Sequence, residues 1–138
     1  MVADGSGAAV WARPGSWATS PLDLVRAAPE MARVFGRRLP LAVRSLLRIE
    51  HGHPRTPAHW YLHFLGVVPA RQGRGLGSLL LAPVLDRLDA AGEHAYLEAS
   101  TERNKALYER HGFSVTSRFE LPAGGPVIRR MWRGAGPN

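Results

Sequence analysis

Between residues 67 and 77 the chain reads Val67-Val68-Pro69-Ala70-Arg71-Gln72-Gly73-Arg74-Gly75-Leu76-Gly77, and few folds accommodate such a segment. A branched apolar run ends at a proline, three alternating glycines follow, and leucines at helical spacing begin straight after. This is a strand delivered into a loop and then into a helix. Glycines let the backbone approach a ligand closely and adopt positive φ. The unpaired N–H groups at a helix start, with the helix dipole, favour a phosphate or diphosphate. Arg71 and Arg74 add fixed positive charge. A plain turn accounts for one glycine, but not for three with Gln72 and two arginines.

Two familiar phosphate loops fail on spacing. A nucleotide-triphosphate loop closes on Gly-Lys-Ser/Thr, whereas Leu76 follows Gly75 here. A dinucleotide fingerprint places its third glycine three positions after the second, whereas Gly77 comes two after Gly75. Its ribose-binding acid about 20 residues on finds only poor matches in Glu93 and Glu98.

The flanking sequence completes an α/β order. Residues 8–12 read as a short strand closed by Arg13-Pro14-Gly15. Ser20-Pro21-Leu22-Asp23 starts a helix, and breaks at Pro29 and Pro40 predict two or three short helices up to about Glu50. A loop spans 51–57, and a buried strand runs from about Ala58 to Val68. Leu76, Leu80, Val84 and Leu88 recur at fours to Gly92, giving a helix with Pro83 as a kink. A strand at 94–99, a helix at 102–110 stopped by His111-Gly112, and strands at 113–121 and 126–132 around Ala123-Gly124-Gly125 finish the chain.

With 138 residues the chain is about one domain, and 45% apolar with 21% charged residues is a globular composition. Its apolar runs, such as Leu79–Leu85, fall far short of the roughly 20 residues of a membrane span. Residues 1–5 show no export leader, so a cytoplasmic location is the expectation. The lack of cysteine excludes disulfides, thiolate–zinc sites and a cysteine nucleophile. Any group transfer is then direct or passes through another side chain. The net charge is +7, concentrated in Arg26, Arg33, Arg37, Arg38, Arg44, Arg48 and Arg55 against Glu30 and Glu50 over that stretch. Such a stretch attracts anions of any kind, or is simply a solvated helix face.

The segment Val67-x-Pro69-x-x-Gln72-Gly73-Arg74-Gly75-x-Gly77 resembles the acetyl-CoA pyrophosphate loop of the GNAT N-acetyltransferases. Tyr96-Leu97-Glu98-Ala99-Ser100, then Asn104-x-x-x-Tyr108-x-x-x-Gly112-Phe113 and the closing Arg130-Met131-Trp132-Arg133, are similar to that family's later elements in order and spacing. The resemblance runs from about residue 58 to 133 within a single domain of 1–138. It implies a mixed, mostly antiparallel sheet flanked by helices, and transfer of acetyl from acetyl-CoA, as co-substrate, to a small-molecule or peptide amine. Backbone of Leu65 and Val67 would pair with the pantetheine arm like an added strand. Amides of Gln72, Gly73, Arg74, Gly75, Leu76 and Gly77, with Ser78, would hold the pyrophosphate. Asn104 would bind pantetheine, and Tyr108 would sit at the sulfur as the proton donor. On the residues alone, Asn104 reads equally as a helix cap and Tyr108 as a core residue.

For the proton acceptor His63 is the first candidate and Glu98 the runner-up. By period-two alternation His59, Tyr61, His63, Leu65 and Val67 share one strand face, which in the family looks toward the acceptor. His63 matches a histidine of the arylalkylamine acetyltransferases, and otherwise reads as a buried strand histidine. Glu98 matches a glutamate of ribosomal-protein alanine acetyltransferases, and otherwise reads as an arginine's ion-pair partner. No metal is expected: His59 and His63 on a strand lie roughly 13 Å apart, and His51-Gly52-His53 has no carboxylate beside it.

Relative to the family, residues 7–13 read as its third strand, so the opening strand-helix-helix unit is expected to be missing. Such a gap leaves an apolar face and a sheet edge that favour a homo-oligomer. The competing functions are a CoA-binding regulatory module without turnover, and a binder of nucleic acid or anionic membrane through Arg26 to Arg55. The second lacks aromatic residues for base stacking in that stretch.

Overall fold

The computed structural model describes residues 5–18 and 20–134. In chain order they form β1 (Gly7–Ala12), α1 (Pro21–Phe35), α2 (Leu39–His51), β2 (His59–Val67), α3 (Leu76–Ala91), β3 (His94–Ala99), α4 (Glu102–Arg110), β4 (Ser114–Glu120) and β5 (Val127–Arg133). Every strand and helix expected from residue 58 onward is present within two residues. Earlier, Pro40 opens α2, but α1 runs straight through Pro29. Pro29 removes one hydrogen bond from a helix rich in alanine and firmly started by Ser20, whose hydroxyl accepts from the Asp23 amide at 3.1 Å.

The five strands form one sheet in the order β1-β2-β3-β5-β4, antiparallel except for β2 and β3. β1 takes the antiparallel place beside β2 although α1 and α2 intervene in sequence. Helices α3 and α4 cover one face. Leu81, Leu85 and Leu88 of α3, Tyr108 of α4 and Phe113 pack there on Leu62, Ala95, Leu97, Ala99 and Met131. Arg133 ties the far end of α3 to β5, its guanidinium bound by both Asp89 carboxylate oxygens.

β2 is irregular where it matters most. Val10 pairs with Phe64 but Trp11 pairs with Leu62, so His63 is an extra residue in a bulge. The bulge flips the alternation. Leu65 packs on the α3 side and the Val67 side chain lies near Gly7 and Leu80, while Tyr61 and His63 lie ring to ring on the opposite face. The single face expected for all five residues therefore ends at His63. Parallel pairing with β3 stops at the same point, at Leu62 with Leu97.

The face opposite α3 carries polar aromatic residues. His53, in the loop after α2, is buried with its Nε2 3.0 Å from Nε2 of His59. Trp17 stacks on it at 3.7 Å between ring centroids, and Tyr61 and Tyr96 meet it edge-on. Helices α1 and α2 have no buried residue of their own.

This division of labour predicts a sharp contrast. Leu81→Ala, at a site with 0% exposure, should cost about 2–5 kcal/mol in denaturant unfolding. Val25→Ala on α1, 69% exposed, should change stability by less than about 0.5 kcal/mol. Acid should also destabilise the fold through His53, whose pKa burial and the nearby His59, His63 and Arg130 push down to about 3. The unfolded chain takes up this proton below the ordinary histidine range and the folded chain does not, so stability falls as pH drops from 7 toward 4. Melting temperatures across that range should slope less in His53→Gln.

Candidate functional site

The glycine loop owes its shape to two different demands. Gly73 and Gly75 sit at φ +76° and +78°, with open space where a Cβ would point, so conformation rather than crowding requires glycine. Gly75 is the left-handed residue that starts α3. At Gly77 the demand is packing: a Cβ would lie 3.0 Å from Leu107 of α4. Gln72 fixes the loop laterally, donating to the Val67 carbonyl at 3.0 Å and accepting from Arg103 at 2.9 Å.

A groove of about 280 Å³ opens along this loop. Of the residues expected to hold a carrier, Leu65, Val67, Gln72, Gly73, Gly75, Leu76, Gly77, Ser78 and Asn104 line it, with Arg71. Arg74 and Tyr108 are not among the lining residues. The sequence reading missed Arg103, Leu107 and Arg110, which also line the groove. They recur at four and three, the helical spacing that marks one face of α4 beside Asn104. With Arg71, the groove thus gathers three arginines around the free amide end of α3, a setting suited to a diphosphate.

Asn104 is not the cap of α4. Thr101 is, its hydroxyl accepting from the Asn104 amide at 3.1 Å, which leaves the Asn104 side chain to the groove. Tyr108 is 6% exposed, packs edge-to-face on Phe113, and burial pushes its hydroxyl up to about 12. The Ser78 hydroxyl pairs with Nε2 of His111 at 2.9 Å, joining the first turn of α3 to the end of α4.

Glu98 lies where β2 and β3 have parted, on the face away from α3. Its carboxylate accepts from the Tyr61 hydroxyl at 2.5 Å and the Tyr96 hydroxyl at 2.8 Å. Tyrosines, not an arginine ion pair, are its hydrogen-bond donors. Burial raises its pKa above the ordinary carboxylate value, opposed by those two hydrogen bonds and by Arg130. The same burial and the neighbouring carboxylate keep Tyr61 and Tyr96 firmly protonated. Tyr96 was legible as a neighbour two residues away on one strand, but Tyr61 enters only through the cross-strand register with Tyr96. His63, ring to ring with Tyr61 at 4.3 Å, has its pKa lowered by burial. Among the described residues no group of three His, Asp or Glu side chains is placed to hold a metal, and no helix is long and apolar enough to cross a membrane.

Comparison with known proteins gives a consistent answer. A family model for the acetyltransferase (GNAT) family matches residues 12–113. Mycothiol acetyltransferase of Beutenbergia cavernae is 45% identical over 67 residues, covering 44% of this chain and 23% of that protein. N-alpha-acetyltransferase RimI of Mycobacterium tuberculosis is 47% identical over 62 residues, 43% of this chain and 38% of that one. The chain thus spans about a quarter to two-fifths of the length of these curated relatives. A crystal structure of histone acetyltransferase HPA2 and related acetyltransferase from Corynebacterium glutamicum has a TM-score of 0.65 at 28% identity, over 96% of this chain and 59% of that one. With a family model matched over most of its length, the chain belongs to the GNAT acetyltransferase family.

Proposed function

We propose that residues 1–138 act as one catalytic domain that transfers acetyl from acetyl-CoA directly to an amine, with Glu98 as the proton acceptor. The observation that carries this reading is the parting of β2 from β3 between the arginine-lined groove and the Tyr61–Glu98–Tyr96 cluster. The diphosphate lies on the amides from Gln72 to Gly77, with Arg71, Arg103 and Arg110 offsetting its charge. The pantetheine arm runs along the β2 edge at Leu65 and Val67, which β3 has left unpaired, with Asn104 beside it. This route delivers the thioester to the gap between the strands.

The reaction needs a neutral amine, an oxyanion donor and a proton for the leaving sulfur. Glu98 takes the ammonium proton, and its raised pKa brings it closer to the working pH than an ordinary carboxylate. The amine nitrogen then attacks the thioester carbonyl, with a backbone N–H near Val67 stabilising the oxyanion. Tyr108, protonated throughout the neutral range, supplies the proton as the carbon–sulfur bond breaks and regains one from the second proton that the acetylated nitrogen releases. His63 is the alternative proton acceptor, favoured by its place in the bulge at the same opening.

Two measurements test the reading. Acetyl-CoA and CoA should each raise the melting temperature, by an amount equivalent to about 2.7 kcal/mol at 100-fold excess over Kd. Gly75→Glu should abolish the shift, because it places a side chain at φ +78° and a negative charge at the helix start. A parent protein indifferent to both compounds sinks the donor site. Glu98→Gln should lower kcat by about 10²–10⁴-fold while the CoA shift persists. The parent rate should rise with pH as Glu98 loses its proton, and that limb should vanish in the variant. A limb that instead vanishes in His63→Gln makes the histidine the base. A CoA shift with no acetylation of any amine leaves a binding module without turnover.

A further inference from the structure

The arginine-rich stretch from Arg26 to Arg55 is only partly a solvated helix face. Arg26 and Arg33 lie near Asp23 and Glu30 on their own helix, at 3.8 and 3.4 Å. Arg44 and Arg48, one turn apart on α2, and Arg55 from the following loop instead line a single open cleft of about 620 Å³. Trp17, Leu47 and Pro122 give that cleft apolar walls. Glu50 supplies the only carboxylate among its described lining residues, so positive charge prevails. The Arg48 guanidinium stands 5.4 Å from the centroid of the Phe119 ring, which also carries Arg130 at 4.2 Å. An arginine packed against an aromatic ring in this way loses less freedom when it grips an anion.

The cleft shares no lining residue with the groove at the glycine loop, so its cations are not needed for the acyl donor. It adjoins the reacting groups instead. Trp17 stacks on His53, which meets both tyrosines that hold Glu98. The charge of Glu50, which lines the cleft, acts on Tyr61 and His63.

We infer that this cleft binds the far end of the acceptor and that this end is an anion: the amine acetylated here carries a carboxylate or phosphate. The inference rests on the acetyl-transfer reading. Arg44, Arg48 and Arg55 take the anionic group in charge-assisted hydrogen bonds, Leu47 and Trp17 pack along the spacer, and the amine points past Trp17 toward Glu98. The open cleft between α2 and the β4–β5 turn has apolar walls at Trp17, Leu47 and Pro122, which suit the apolar spacer of a small amine.

Calorimetric titration of the full chain in the presence of CoA tests this, with aminohexanoate, aminohexylphosphonate, hexylamine and diaminohexane as probes. The two anionic amines should bind about tenfold more tightly than hexylamine, the ratio expected for one or two charge-assisted contacts, with diaminohexane weakest. The carboxylate and phosphonate arms decide which anion fits better. Arg44→Gln and Arg48→Gln should bring the ratio close to one, Arg44→Lys should keep part of it, and Arg118→Gln, an equal loss of charge outside the cleft, should leave it intact. Equal binding of hexylamine and aminohexanoate overturns the inference. So does a preference for the diamine, an absence of binding by either anion, or a ratio unmoved by the cleft variants or lost equally in Arg118→Gln. Acetylation followed in parallel separates the two levels: an anion preference without turnover refutes the transfer reading and leaves the cleft, whereas turnover without the preference does the reverse.

Discussion

Parallel pairing between β2 and β3 lasts four residues and then stops. Beyond Leu62 the two strands have no hydrogen-bonded neighbour in each other, and a bulge at His63 turns β2 just where the pairing is lost. Bulges increase local twist and re-aim side chains, and here one extra residue achieves three results. Leu65 and Val67 turn to the α3 side, where they line the groove beside the glycine loop. Tyr61 and His63 stay on the opposite face. Between them lies backbone that a linear ligand can use as a strand would.

The cluster on the far face follows from the same opening. A carboxylate lodged between strands loses hydration, and an unpaired buried charge is costly. An arginine partner would hold Glu98 ionised to lower pH. Two tyrosine hydroxyls satisfy its oxygens without a full opposing charge, so burial still lifts its pKa. Arg130 acts on Glu98 from β5, but its guanidinium is engaged by the Phe119 ring and packs so closely over Gly52 that a side chain there would displace it.

The glycine loop and the elements around it were legible because each part has a local signature. Glycines that need positive φ, a proline that ends a strand and leucines at helical spacing are all written within a few residues of one another. The cluster around Glu98 and the arginine-lined cleft were not, because their parts meet only in three dimensions. The pairing of His53 with His59 crosses a loop, and the bond from Tyr61 to Glu98 crosses two strands. The bulge left no mark that alternation could detect, since His63, Leu65 and Val67 keep a perfect period of two in sequence. Thr101 and Asn104 both suit a helix start, and only the geometry makes Thr101 the cap. Arg44, Arg48 and Arg55 were visible as charge, but the wall opposite them comes from Trp17 and Pro122, far away in the chain.

The groove at the glycine loop and the arginine-lined cleft also differ in how freely their residues can change. Around the groove, Gly77 is pressed against Leu107, Ser78 is tied to His111, and α3 is anchored by four buried leucines. A substitution there disturbs close-packed contacts and costs stability. No residue of helices α1 and α2 is fully buried, and Leu47 is half exposed, so replacing Arg44 or Leu47 leaves the core untouched. Segments with few buried contacts also open most readily. On the proposed reading, donor recognition would therefore sit in the part of the fold that resists change, and acceptor choice in the part where new side chains can be tried at little cost.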